Sequence, residues 1–420
     1  MRVLGTGYDR GSRAVWALKG DTAFATTKVK TNSTRYVSAK ELVANITIAV
    51  DASLDRYDIV ALTSSGKKGI GIEAFTVTPE LTVTAIGPAK GGVQAEDVND
   101  QGWVVGNTGT LGISPRRAFI WIPTQPRGTT GTFQDLGTFG GPTAAATAIN
   151  NSGHVVGNAA TAGGGLPFLW TKTAGMQNLG LDPLWTSGSA LDINEVGQVA
   201  GIAQTASGGL VVIWNVRVDA AGVVQVLSRE TVAPAPAGGS NAVFALNNMG
   251  QLAGWVTYSA STSNHAVLWT PGASGWTMED LGLLPGDYGS GAYGLNDLGQ
   301  VVGWSRPQQG CVHAALWTTQ NGKLTGARAL EALGGCSAEA WGINNQSQII
   351  GRLTNSGRME ATMWSLAGDA STASVRILGR LSGTASSLGM GLSGSLGGLT
   401  QVSGLSHATS EDKGTLWTVR

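Results

Sequence analysis

AYGLNDLGQVVG, residues 292–303, decides the fold, because the same phrase returns along most of the chain. Its copies are AEDVNDQGWVVG (95–106), ATAINNSGHVVG (146–157), ALDINEVGQVAG (190–201), VFALNNMGQLAG (243–254) and AWGINNQSQIIG (340–351). A worn seventh copy, GMGLSGSLGGLTQVSG, fills 389–404. The aligned residues Asn99, Asn150, Asn194, Asn247, Asn296, Asn344 and Ser393 fall at intervals of about 49 residues, the length of a propeller blade. Some dozen residues after each copy comes an apolar run ending in tryptophan: Trp121, Trp170, Trp214, Trp269, Trp317, Trp364 and Trp417. A third phrase follows five of these, as in FQDLGTFGG, MQNLG and MEDLGLLPG; after Trp214 its place is taken by VVQVLS.

Each unit therefore holds four short apolar runs separated by turn residues. We label them a (A-x-x-I-N), b (G-Q-V-V-G), c (A-F-L-W-T) and d (M-Q-D-L-G). Four strands in a unit of this length predict a blade of a β-propeller, and no 3.6-residue apolar period supports a long helix. Strand a alternates small residues (Ala146/Ala148, Ala292/Gly294) with large ones (Phe244/Leu246, Tyr293/Leu295, Trp341/Ile343). The alternation is read as a small face against the neighbouring blade. Asn-x-x-Gly between a and b predicts a tight structural turn, and the c-strand tryptophans are expected to fill the wedge between blades.

Seven a–b–c sets but only six following d strands predict how the ring closes. Leu81–Ile86 (LTVTAI), just ahead of the first a strand, is expected to pair around Thr415–Thr418 as the outer strand of the last blade. This removes an open sheet edge. An eight-bladed ring that absorbs residues 1–78 is the alternative.

Composition bounds the function. Charged residues make up 13 % of the 420, about half the usual share. Lys+Arg and Asp+Glu balance at 27 each, so no basic footprint for nucleic acid or anionic lipid exists. No apolar run is long enough to span a membrane as a helix. Low charge with abundant Gly, Ser and Thr reads as a β-rich extracellular or cell-surface protein. No leader is legible at Met1–Gly5, so the extracellular reading expects one to have been removed or export to take another route.

Residues 1–78 lack the repeat and alternate like a small sandwich with Ile46, Ile48, Ile59 and Phe75 in its core. Gly5-Thr6-Gly7-Tyr8, Ser38–Ala44, Tyr57–Val60 and Ala74–Val77 resemble, in order and spacing, the IPT/TIG immunoglobulin-like domains of bacterial surface proteins. The family's first strand begins several residues earlier than this chain does. Residues 79–420 resemble the HAF-repeat proteins, through I-N-x-x-G-x-V-V-G, D-L-G-x-x-G-G, and the partial triplets at His265-Ala266-Val267 and His313-Ala314-Ala315. That resemblance implies secretion and a repeat fold, and brings no activity, cofactor or ligand with it.

The sequence is thus read as an all-β chain, an immunoglobulin-like sandwich (1–78) followed by a seven-bladed propeller (79–420). Catalytic, cofactor and metal residues are all expected to be none. No G-x-S-x-G, H-E-x-x-H, P-loop or EF-hand phrase is present. Asp97 and Asp192 are the only acids at the small position of strand a, and His265 and His313 fill equivalent places in adjacent repeats. The favoured function is a non-catalytic binding or adhesion module for an extracellular glycan or surface protein. Trp185, Trp255 and Trp304 are taken as surface indoles on which sugar rings stack. A self-assembling building block of a surface layer or fibre is the alternative, and a propeller hydrolase or lyase stands third. Cys311 in a b–c loop and Cys336 in the following d–a loop emerge on one rim, which predicts a disulfide.

Overall fold

A computed structural model describes the chain apart from residues 1, 5–6, 19–28, 49–55, 77–80, 89–91, 110–114, 235–238, 259–262, 331, 334, 367–371, 396–397, 409–410 and 420. No helix occurs among the described residues. The chain divides into two compact units, Met1–Glu80 (grouped with Arg420) and Leu81–Val419.

The first unit carries two three-stranded antiparallel sheets. One orders Arg2–Leu4, Glu41–Ile48 and Val29–Ser38; the other orders Arg13–Leu18, Arg56–Leu62 and Lys68–Thr76. The Thr31 hydroxyl donates to the Ala14 carbonyl across the two sheets (2.8 Å), and Ala14, Leu42, Ala44, Val60 and Ala61 are buried. The side chains of Ile46, Ile48, Ile59 and Phe75 lie outside the described residues.

The second unit is a propeller of seven four-stranded blades, each wound a–b–c–d from the axis outward. The a strands are Val93–Val98, Ala144–Ile149, Ser187–Ile193, Ser240–Leu246, Gly289–Leu295, Ser337–Ile343 and Ser386–Leu392. Blade seven takes its outer strand from Leu81–Ile86, paired antiparallel to Asp412–Val419 with Thr415 opposite Ala85 and Val419 opposite Leu81. The expected clasp is present, and the ring has no eighth blade. All seven c-strand tryptophans are buried, and the apolar clusters around them run from one blade into the next. Phe168 and Trp170 of blade two, for instance, share a cluster with Val105 and Ile120 of blade one.

Strand a departs from simple alternation. In every blade the a–b register slips by one residue, leaving Glu96, Thr147, Leu191, Phe244, Tyr293, Trp341 and Met390 unpaired in a β-bulge. A bulge turns the extra side chain out of the pleat. The large residues Phe244, Tyr293 and Trp341 therefore line the axial channel and do not pack between blades. The bulge also explains the glycine closing each V-V-G. At Gly106, Gly157, Gly201, Gly254, Gly303, Gly351 and Gly404 a Cβ would collide with a strand-a carbonyl oxygen, that of Ala242 in the case of Gly254.

The turn asparagines join the blades. Each Asn side-chain amide donates to the backbone carbonyl of its counterpart one blade on: Asn99 to Asn150 (3.1 Å), Asn150 to Asn194 (3.2 Å), Asn194 to Asn247 (3.0 Å). The series continues from Asn247 to Asn296 (3.2 Å), Asn296 to Asn344 (3.0 Å) and Asn344 to Ser393 (2.9 Å). Ser393 has no amide to complete the circuit, and Arg127 does so from the c–d loop of blade one. Its guanidinium donates to the carbonyls of Asp100 (2.7 Å), Gly394 (2.7 Å) and Leu399, while Gln401 donates back to the Arg127 carbonyl (3.2 Å). In the worn blade-seven copy this latch stands where the ladder would continue.

Candidate functional site

The antiparallel winding collects the a–b turns on one rim and the b–c and d–a loops on the other. On the latter rim Cys311 and Cys336 form the expected disulfide, with 5.1 Å between their Cα atoms. Of the three indoles expected at the surface, Trp255 is half-buried. Trp304 is 8 % exposed, lies over Gly291, and carries the Arg306 guanidinium on its face at 5.0 Å. It is a packing residue, not the surface platform that its place after the b-strand glycine suggested. Trp185 is 9 % exposed and meets the buried Trp214 edge-on (centroids 5.8 Å). Gly291, which has no side chain, lets the Trp304 indole lie over strand a where Trp255 faces Ala242, and apolar contact with blade three drew Trp185 in.

Trp185 nevertheless lines a cleft of about 600 Å³ at the edge of blade three. Its other walls are Asp182, Leu184, Leu210 and Arg229, together with the hydroxyl-bearing Thr205, Ser207 and Thr231. Turn geometry fixes the loop: Asp182 accepts from the Leu184 and Trp185 N–H groups (3.0 and 2.9 Å). Arg229 is anchored by donating to the Leu179 carbonyl (2.8 Å). An indole edge beside a carboxylate, a guanidinium and hydroxyls is the lining a polyhydroxylated ligand requires.

A second concavity is the axial channel. At the turn rim it opens as a cavity of about 270 Å³ bordered by the asparagine ladder, and it continues into a chamber of about 210 Å³. Asp97, Leu295, Ile343 and Leu392 border both. The chamber is two-sided. Blades four to six contribute Phe244, Tyr293 and Trp341, with Phe244 and Tyr293 edge to face at 5.0 Å. Blades one and three contribute Glu96, Asp97 and Asp192.

Both aspartates are capped by backbone amides. Asp97 accepts from Val98 (2.8 Å) and Ile149 (2.9 Å), and Asp192 from Ile193 (2.8 Å) and Leu246 (2.7 Å). Burial outweighs these bonds and pushes Asp97 up to about 6. Asp192 rises to about 7 from burial first and then from the negative charge of Asp97. Glu96 is raised by burial, against the opposing pull of Arg116 at 3.8 Å.

The histidines hold carboxylates: His265 is 2.9 Å from Asp280, and His313 is 3.1 Å from Asp287. No cluster of three potential metal ligands exists among the described residues. Sequence reasoning singled out Asp97 and Asp192 but assigned the aromatic trio to blade packing. The sevenfold V-V-G glycine was the available signal, since a strand glycine at a fixed place marks a bulge.

No family model matches the chain, and no curated protein matches it in sequence. Among solved structures it is similar to YCF48 from Cyanidioschyzon merolae (14 % identity, 82 % of this chain and 99 % of that one, TM-score 0.45). It is also similar to the PQQ-bound aldose sugar dehydrogenase from Streptomyces coelicolor (11 %, 82 % and 100 %, 0.39). A third is a gluconolactonase from Xanthomonas campestris (11 %, 80 % and 99 %, 0.33). At these scores the likeness carries no information about what this chain binds or does.

Proposed function

We propose that this chain is an extracellular, non-catalytic binding module that takes a glycan in the blade-three cleft. The cleft carries this reading: it sets an indole beside Asp182, Arg229 and three hydroxyls in a concavity of about 600 Å³. The Cys311–Cys336 disulfide supports an oxidising compartment. No helix of the described residues is long and apolar enough to cross a membrane. The HAF-like repeats and the IPT/TIG-like order of residues 1–78 support a bacterial surface protein with an immunoglobulin-like sandwich ahead of the ring.

A glycan array probed with the intact chain tests the reading. Binding is expected, with loss in Trp185→Ala and retention in Trp255→Ala, both checked for unchanged far-UV circular dichroism and cooperative unfolding. Equal binding by the Trp185 variant, or no glycan bound, overturns it.

One observation favours self-assembly as a second reading. The third residue of the Asn-x-x-Gly turn is apolar and exposed in three consecutive blades: Val196 (64 %), Met249 (52 %) and Leu298 (59 %). Elsewhere it is Gln101, Ser152, Gln346 or Ser395. Such an arc on one rim suits a protein contact. Sedimentation of the wild type against Val196→Ser/Met249→Gln/Leu298→Gln distinguishes the two: a monomer in both cases removes this reading.

A further inference from the structure

We propose that the axial chamber binds an organic cation, its ammonium or guanidinium group against Asp97 and Asp192 and its apolar body against Phe244, Tyr293 and Trp341. The argument begins with what the ring does not need. At the place of these two aspartates the other five blades carry Ala148, Ala245, Gly294, Gly342 and Gly391, and those blades close equally well. The carboxylates are therefore additions to the blade, set into the wall of a cavity.

Their charge is uncompensated. No Lys or Arg is among the residues lining the chamber, and the guanidiniums beside its walls are engaged: Arg116 with Glu96, Arg352 with Glu339 at 2.7 Å, and Arg306 on the Trp304 face. Asp97 and Asp192 form no ion pair among the described residues, and burial disfavours both carboxylates, as does a neighbouring negative charge: Glu96 for Asp97, and Asp97 for Asp192. A buried charge without a partner costs several kcal/mol in general, and a bound cation removes that cost.

Opposite the acids, the Phe244 and Tyr293 rings attract an organic cation more than a neutral ligand, while Trp341, whose ring already carries the Arg352 guanidinium at 5.6 Å, adds apolar contact to either. A bare metal ion fits poorly, because the two acids sit two blades apart and each already spends an acceptor on a backbone amide at both oxygens. An anion meets only negative charge. A chamber of about 210 Å³ suits a compact amine and excludes a polymer, so this site is separate from the glycan cleft.

Titration calorimetry on the full chain above pH 7 tests the proposal with charged and uncharged pairs: phenethylammonium against phenethyl alcohol, and choline against dimethylbutanol. The charged member of at least one pair is expected to bind about tenfold or more tightly than its neutral partner. The advantage disappears in Asp97→Ala/Asp192→Ala, which installs the residue that blades two and four already carry. Trp341→Leu weakens the charged and neutral members together, and Trp185→Ala changes neither. No binding by any cation, equal binding within both pairs, or an undiminished advantage in the double variant overturns the proposal. The wild-type comparison decides the matter even where a variant fails to fold.

Discussion

Truncating one rung of the asparagine ladder measures what holds neighbouring blades together. Asn247 is buried and its side chain makes four hydrogen bonds. Its amide donates to the Asn296 carbonyl (3.2 Å) and Gln251 Oε1 (2.9 Å), and its Oδ1 accepts from the Met249 and Gln251 N–H groups (3.1 and 2.9 Å). In Asn247→Ala these bonds vanish together. Asn247 borders the turn-rim cavity, so water replaces part of what is lost, while the Gln251 N–H lies on the buried side and stays unpaired. At about 1 kcal/mol per net bond, offset by that water, the loss is about 3 kcal/mol. Asn247→Asp is the sharper variant. It keeps the acceptor for the turn but points a second oxygen at the Asn296 carbonyl and Gln251 Oε1. At neutral pH it should destabilise more than alanine, and it should recover in acid as the carboxyl gains a proton to donate. Urea unfolding followed by tryptophan fluorescence reads both, since all seven c-strand indoles are buried. A loss below about 1 kcal/mol for alanine, or an aspartate variant as stable as wild type above pH 7, refutes the ladder as an energetic element.

Four further outcomes follow from the same geometry. Cys311→Ser/Cys336→Ser opens a 25-residue loop and should cost about 3 kcal/mol in the chain-entropy model; an unchanged unfolding midpoint contradicts this. Deleting 81–86 exposes Asp412–Val419 as an edge and should lower the melting temperature far more than removing a surface loop, with aggregation on light scattering. Gly254→Ala drives a methyl into the Ala242 carbonyl and should cost about 3 kcal/mol or more, whereas Gly286→Ala, which meets no atom within 4 Å, should cost only its positive-φ strain. Asp97 and Asp192 have folded-state values raised above the unfolded one, so the native ring binds protons that the unfolded chain releases. Their contribution should strengthen as pH falls from about 7 towards 5 and weaken as it rises, and Asp192→Ala should flatten that slope in pH-dependent unfolding.

The ring was legible because its information is repetitive and local. The phrase around Asn296 marks two strands and a turn, seven near-copies favour seven blades over the eight-bladed alternative, and a missing d strand locates the clasp. The disulfide followed from loop topology alone. What escaped was set by register. A one-residue bulge reverses the face on which Phe244, Tyr293 and Trp341 appear, and no period-two reading anticipates it. Arg127 escaped for another reason: it acts across the ring seam on residues some 270 positions away, beyond any local pattern. The indoles misled because a tryptophan in a loop or after a glycine reads as exposed, while Trp185 packs against blade three and Trp304 lies over Gly291.

The seam between Leu81–Ile86 and Asp412–Val419 has a mechanical meaning. The strands are antiparallel, and Leu81, where the chain enters the ring, lies opposite Val419, where it leaves. Tension applied through these two points pulls one end of the ladder apart and loads its hydrogen bonds in succession, as a zipper does, instead of sharing the load as in shear. The outer seam is thus the part of the ring that yields first under a stretching force. Nearer the axis, the Arg127 and Gln401 bonds and the Gly394 N–H on Asp100 (2.6 Å) join blades one and seven independently of that strand. A stretched molecule should lengthen by the outer strand first and pause before the blades part. A chain held at these two points would thereby lengthen by a short step before losing its ring.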